Sequence, residues 1–171
     1  MILRFRITNF RSIRLPVEIN FLSIPEYDRD VPSRYIYEAK QLNIEVLPVI
    51  GLFGGKASGK STILEALSTF AKYAASVSKG LRDELPYFPF LLDEMSQTKP
   101  CKLGVDVFLD GICYLYFISF FRKHISEEIL KAIVDLKTIT LFNRTCSTES
   151  GESSVIRFPH EWFSRSFLGQ F

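Results

Sequence analysis

Residues 53–62, FGGKASGKST, constrain this chain more than any other stretch. Gly54, Gly55 and Gly59 fall within seven residues and are followed by Lys60 and Ser61. Glycine loses more backbone freedom on folding than any other residue, so such a cluster needs a compensating interaction. The segment Gly54-Gly55-Lys56-Ala57-Ser58-Gly59-Lys60-Ser61 matches GxxxxGK[ST]. In that pattern the glycines let the backbone curl until successive N–H groups face one anion. A helix beginning near Gly59 adds the positive end of its dipole, about half an elementary charge. Lys60 then reaches the β- and γ-phosphates of a nucleotide, Ser61 offers its hydroxyl to Mg²⁺, and Thr62 lies beside them. Lys56, inside the loop, is either a second positive charge near the phosphates or a solvated side chain.

The flanks suit this reading. NIEVLPVIGLF, upstream, reads as a continuous apolar strand covered on both faces, weakened early by Pro48. Downstream, KSTILEALSTFAKYAASV has helical spacing, with Ile63, Leu67, Phe70, Ala71 and Ala74 on one stripe. Elsewhere the chain reads mostly as strands. ILRFRITNF alternates, Leu3, Phe5 and Ile7 against Arg4, Arg6 and Thr8, and VEINFLSI is its antiparallel partner. Asp110-Gly111 joins two strands of a hairpin. TITLFNR is a further strand, while PEYDRDVPSRY and STESGESS are loops. ISEEILKAIVDL is ambiguous, because Ser126 and two following glutamates look like a helix start.

Charge and cysteines narrow the function. There are 21 basic and 19 acidic residues, a net charge of +2. That is no electrostatic footprint for nucleic acid, which would need a local patch. Cys101, Cys113 and Cys146 form no CxxC or Cys/His cluster, so neither a disulfide framework nor a zinc site is indicated. MILRFRITNF is too interrupted by arginines for a signal peptide. The longest apolar run, GICYLYFISFF, falls well short of the roughly 20 residues a bilayer needs. The expectation is a soluble, cytoplasmic protein with no membrane partner.

Two segments together carry a family resemblance. LRFRITNFRSI resembles the I-x-N-F-R-S opening of SMC/RecF-like ABC-type ATPases, and LFGGKASGKST stands where that family has FGxNxSGKS. FPFLLDEMSQTKPCKLGVDVFLDGICYLYF and the ISEEIL and LFNR segments are similar to AAA-family proteins of the abortive-infection group, relatives of the OLD proteins. The resemblance spans nearly the whole chain. It implies an α/β P-loop NTPase fold: an ABC-ATPase-like N-terminal lobe with an antiparallel β-hairpin subsheet. Residues 1–171 would be a single, incomplete ATP-binding domain. Gly54 to Thr62 would wrap the phosphates of ATP, with Ser61 on magnesium and Arg11 and Ser12 near the nucleotide. It also implies that ISEEIL is a strand of an antiparallel arm. Lys56 replaces the family's asparagine, so that residue's contact is not carried over.

Such ATPases also use a downstream acidic motif and a signature Ser-Gly motif. FPFLLDE mimics the first, but Pro86 and Pro89 spoil the strand it needs, which leaves Asp93 and Glu94 as loop carboxylates. TESGESS lacks the signature pattern. Gln97 is a candidate for the metal-contacting glutamine that ABC proteins carry after the first lobe but is not assigned that role; His124 and His160 have no partner suggesting catalysis, and Asp106 and Asp110 read as structural. Hydrolysis would therefore require a downstream half, a partner protein or a homodimer. Two other readings are open. One is a small P-loop nucleotide kinase, although residues 1–53 precede the loop here. The other is a decayed, non-enzymatic ATPase that serves as an interaction module.

Overall fold

A computed structural model describes residues 1–24, 37–39, 44–76, 85–134, 137–146 and 154–158. PEYDRDVPSRY, most of STESGESS and His160 lie largely or wholly outside the described residues. Among the described residues, nine strands and two helices follow in chain order. β1 is Ile2–Thr8, β2 Val17–Asn20, β3 Tyr37–Ala39 and β4 Ile44–Val46. Helix α1 spans Lys60–Ser76 and the single turn α2 spans Glu94–Gln97. β5 is Cys101–Leu109, β6 Ile112–Phe120, β7 Ile125–Val134, β8 Lys137–Cys146 and β9 Ser154–Arg157. Seven of the described strands form one sheet in the order β2-β1-β5-β6-β7-β8-β9, and β3 and β4 form a separate pair, with a bridge between Leu22 and Val46.

Every described strand pair is antiparallel. This overturns the expected α/β P-loop NTPase fold: the described architecture is a large antiparallel sheet with two helices. The strand expected over NIEVLPVIGLF is also corrected. Only Ile44–Val46 is extended, and thirteen non-helical residues, 47–59, separate β4 from α1. Pro48 removes one backbone donor there. Val49 is 79% and Phe53 96% exposed, so the segment is not covered on both faces. Apolar composition alone cannot separate a buried strand from an apolar stretch without a partner.

Local signals explain the rest of the sheet. Asp110 and Gly111 both take positive φ, 50° and 84°, the twist a two-residue hairpin requires between β5 and β6. ISEEILKAIV is strand β7, paired along its length with β6 and β8, so strand pairing prevails over the local helix-start signal. β1 alternates as expected, with one exception. Ile2 opposes Val107 and Arg4 opposes Asp106, which makes Leu3 an extra residue on β1. The bulge moves Leu3 into a cluster with Val46 and Cys113, away from Phe5 and Ile7.

The main core lies between α1 and the sheet. Phe5, Ile7, Leu103, Val105 and Ile118 meet Ala66 and Phe70. Phe70 sits edge-on to Phe5 at 6.0 Å and to Tyr116 at 5.5 Å. Ile63 and Leu67 pack against this core, but Ala71 and Ala74 are exposed, so the helical stripe is narrower than expected. Fully burying side chains of this size contributes about 1.5–3 kcal/mol each. That burial docks α1 and so places its N-terminus. Arg6 braces the sheet through a two-pronged pair with Asp106, at 2.9 and 2.6 Å, which confirms the structural reading of Asp106. Its guanidinium is held above its ordinary pKa chiefly by that carboxylate.

Candidate functional site

The glycine loop runs into α1. The first bond of the helix ladder is Ile63 N–H to Gly59 C=O, at 3.1 Å. The amides of Lys60, Ser61 and Thr62 precede that bond and have no carbonyl in the ladder. Gly59 takes φ 91° and Ala57 φ 63°, so the backbone curls through the left-handed region twice before the helix begins. Gly54 has a steric requirement as well. A Cβ there would lie 2.7 Å from Ser58 Oγ.

Lys60 closes the loop on itself. Its ammonium donates to Gly54 C=O at 2.7 Å, Gly55 C=O at 2.7 Å and Ser58 Oγ at 3.1 Å. An ammonium has three protons, and these three acceptors use them all. The lysine expected to meet phosphate thus stands over the mouth of the curl. Lys56 and Ser61 are exposed, and nothing lies within 4 Å of a Cβ placed on Gly55. The loop faces solvent.

Two residues of the β1–β2 connection reach this helix end. Ser12 Oγ and Thr62 Oγ1 share a hydrogen bond of 2.8 Å, and Ser12 Oγ is also the atom nearest a Cβ placed on Gly59, at 3.7 Å. Thr62 is buried, so its hydroxyl serves this contact. Arg11 pairs with Glu65 of α1 at 2.7 Å, and its guanidinium carbon lies 4.7 Å from the Phe88 ring centre. The structure therefore brings Arg11, Ser12 and residues 54–62 to one end of α1. It adds Glu65 and Phe88, which carry no motif; only folding joins positions so far apart in the chain. The strand expected to run into the loop stops at Val46.

The other candidates have structural roles. Asp93 caps α2, accepting from Ser96 N at 3.0 Å and Ser96 Oγ at 2.5 Å. Its pKa lies below the ordinary value, first because of the Ser96 hydroxyl, with Arg14 and Lys99 adding to the effect. Gln97 donates to Leu91 C=O at 2.9 Å, and His124 stacks on Phe121 at 4.9 Å. Burial pushes the Cys101 thiol up to about 12. Among the described residues no three His, Cys, Asp or Glu side chains are grouped so as to hold a metal ion. Also among them, no helix is long and apolar enough to cross a membrane.

A second polar cluster ties the far end of α1 to the sheet. Glu128 on β7 is 7% exposed. It accepts from the Tyr116 hydroxyl, from Tyr73 Oη at 3.2 Å, and from the Arg144 guanidinium at 2.6 Å. Burial pushes the Tyr73 hydroxyl up to about 12, with Glu128 adding to it; Tyr116 is raised further for the same reasons.

A scan against models of known protein families finds no match, and a search of curated proteins finds no relative.

Proposed function

We propose that this chain binds the phosphates of ATP, with magnesium, through residues 54–62, as the N-terminal part of an SMC/RecF-like ATPase. One observation carries the reading. A curled, solvent-open loop ends in helix amides that lack ladder partners, with the Lys60 ammonium already positioned over it. A nucleotide's phosphate oxygens would replace Gly54 C=O and Gly55 C=O as acceptors for Lys60. The neighbouring amides and the helix dipole would share the remaining charge.

The residues present suit magnesium held jointly with a nucleotide. Ser61 offers an exposed hydroxyl next to Lys60, whereas Thr62 is committed to Ser12. The other ligands would be phosphate oxygens and water. Magnesium bound there would neutralise charge on the phosphates. Arg11, paired with Glu65 of α1, would add a cation if it left that carboxylate. Asp93 is engaged as a helix cap, so the reading extends to binding and leaves hydrolysis to a further segment or partner chain. A role in phage defence or DNA maintenance in the cytoplasm belongs to the same proposal and rests on the resemblance of NFRS and the loop.

The test is the affinity for ATP with Mg²⁺, by calorimetry, of the wild-type chain and Lys60→Ala. A loss of about tenfold or more is expected, since a charge-assisted hydrogen bond contributes about 1.5–3 kcal/mol. Equal affinity in the two proteins, or no binding by the wild type, removes the proposal.

A further inference from the structure

An apolar cleft adjoins the glycine loop. It measures about 290 Å³ and lies between α1, the strands β1 and β2, and the segment that leads into the loop. Ile63, Leu64 and Leu67 form one wall, Val49 and Leu52 another, and Phe5 contributes from β1. Among the described residues, every side chain that lines it is apolar. Val49 is 79% and Leu64 59% exposed, so the mouth opens to solvent. The volume is close to the lower end for small-molecule sites, roughly 300–1,000 Å³.

The position of Lys60 says what such a cleft would hold. Residues three and four apart share a helix face, so Lys60, Ile63, Leu64 and Leu67 lie on one side of α1. Thr62 and Glu65, which meet Ser12 and Arg11, lie on the other. One helical turn, about 5.4 Å, separates Lys60 from Leu64, so a group attached to phosphates held by Lys60 has the cleft within reach. Phe53 stands between the cleft residue Leu52 and the loop residue Gly54. It is 96% exposed, and its ring lies back over Gly51, where a Cβ would come 2.5 Å from it. An aromatic ring in water beside an apolar slot is a stacking surface for a flat heterocycle.

We infer that the cleft and the Phe53 ring hold the base of a nucleoside triphosphate by shape and stacking alone, so that the chain takes ATP and GTP with nearly equal affinity. Apolar side chains offer no donor or acceptor to tell one base edge from another, and the open mouth leaves that edge in water. The inference rests on phosphate binding at residues 54–62 and adds the selectivity of that site.

Calorimetry with Mg²⁺ compares ATP, GTP and ribose 5-triphosphate, which has the same phosphates and no base. ATP and GTP should agree within about threefold, and each should bind about tenfold more tightly than ribose 5-triphosphate, the scale of one base–aromatic stack. Phe53→Ala should cost both nucleotides about tenfold and Leu64→Ala about three- to fivefold, while ribose 5-triphosphate keeps its affinity. Both side chains are largely exposed, so the two variants should keep the wild-type melting curve. Ribose 5-triphosphate binding as tightly as ATP, a difference of about tenfold or more between GTP and ATP, or nucleotide affinity indifferent to both substitutions overturns the inference and leaves phosphate binding standing. Binding of none of the three removes the phosphate site itself, and the inference with it. Self-association in sedimentation that Leu64→Ala abolishes, with no preference for ATP over ribose 5-triphosphate, assigns the cleft to a second copy of the chain and overturns the inference as well.

Discussion

Replacing Glu128 by alanine tests how the sheet holds the helix that carries the loop. The carboxylate is 7% exposed and serves three donors: Tyr116, Tyr73 and Arg144. Removing one partner of a buried ion pair costs about 3–5 kcal/mol, because the other charge is left uncompensated. Arg144 keeps 22% side-chain exposure, so some water relieves it and the lower half of that range applies to the pair. Each stranded hydroxyl adds about 1–3 kcal/mol at most. Both hydroxyls share one carboxylate oxygen, so their losses are not additive. The sum stays near 3–5 kcal/mol, a large part of the roughly 5–15 kcal/mol that holds a domain together. It corresponds to about 6–20 °C in Tm for a chain of this length. Urea unfolding followed by circular dichroism measures it. Glu128→Leu combined with Arg144→Met removes both charges and refills apolar volume, so it should recover most of the loss. A cost below about 1 kcal/mol for Glu128→Ala, or a double variant no better than the single, would refute the reasoning.

Gly59→Ala should cost about 1–2 kcal/mol through its φ of 91°, with no clash since Ser12 Oγ is 3.7 Å away; ATP affinity should fall about five- to thirtyfold in calorimetry while the sheet stays folded. Asn9→Ala strips its partners from Phe90, Ser96, Lys99 and Pro100, and hydrogen exchange should show protection lost across 88–100 ahead of β5 and β6. Tyr73 has its pKa raised from 10.0 to about 12, so the stability it contributes is complete below pH 10.0 and is lost as the pH rises towards 12. Tyr73→Phe should flatten that alkaline decline in a series of melting curves.

Much of the sheet could be read from local pattern. Alternation marked β1 and β2, and Asp110-Gly111 marked the β5–β6 hairpin, because side-chain direction and positive φ are properties of a few neighbouring residues. The bulge at Leu3 was not legible. Its cause is the register against Val107 and Asp106, more than a hundred residues away. ISEEILKAIV carried a helix-start signal that pairing with two strands overrode, and VLPVIGLF carried strand composition although its described pairing stops after Val46 and Leu47. The α/β P-loop NTPase fold implied by the family resemblance failed for the same reason: the loop motif specifies a turn and a helix start, and is silent about which strands lie side by side.

What the sequence determined by itself is the curl at residues 54–62 and the helix behind it, since glycine placement and a helix N-terminus are consequences of local backbone sterics. Tertiary structure decided what meets that curl: the resemblance had pointed Arg11 and Ser12 towards it, whereas nothing in the sequence pointed Glu65 or Phe88 there. Ser12, Arg11, Glu65 and Phe88 converge there, and Glu128 gathers its three donors, because burial and strand register join residues that no spacing along the chain connects.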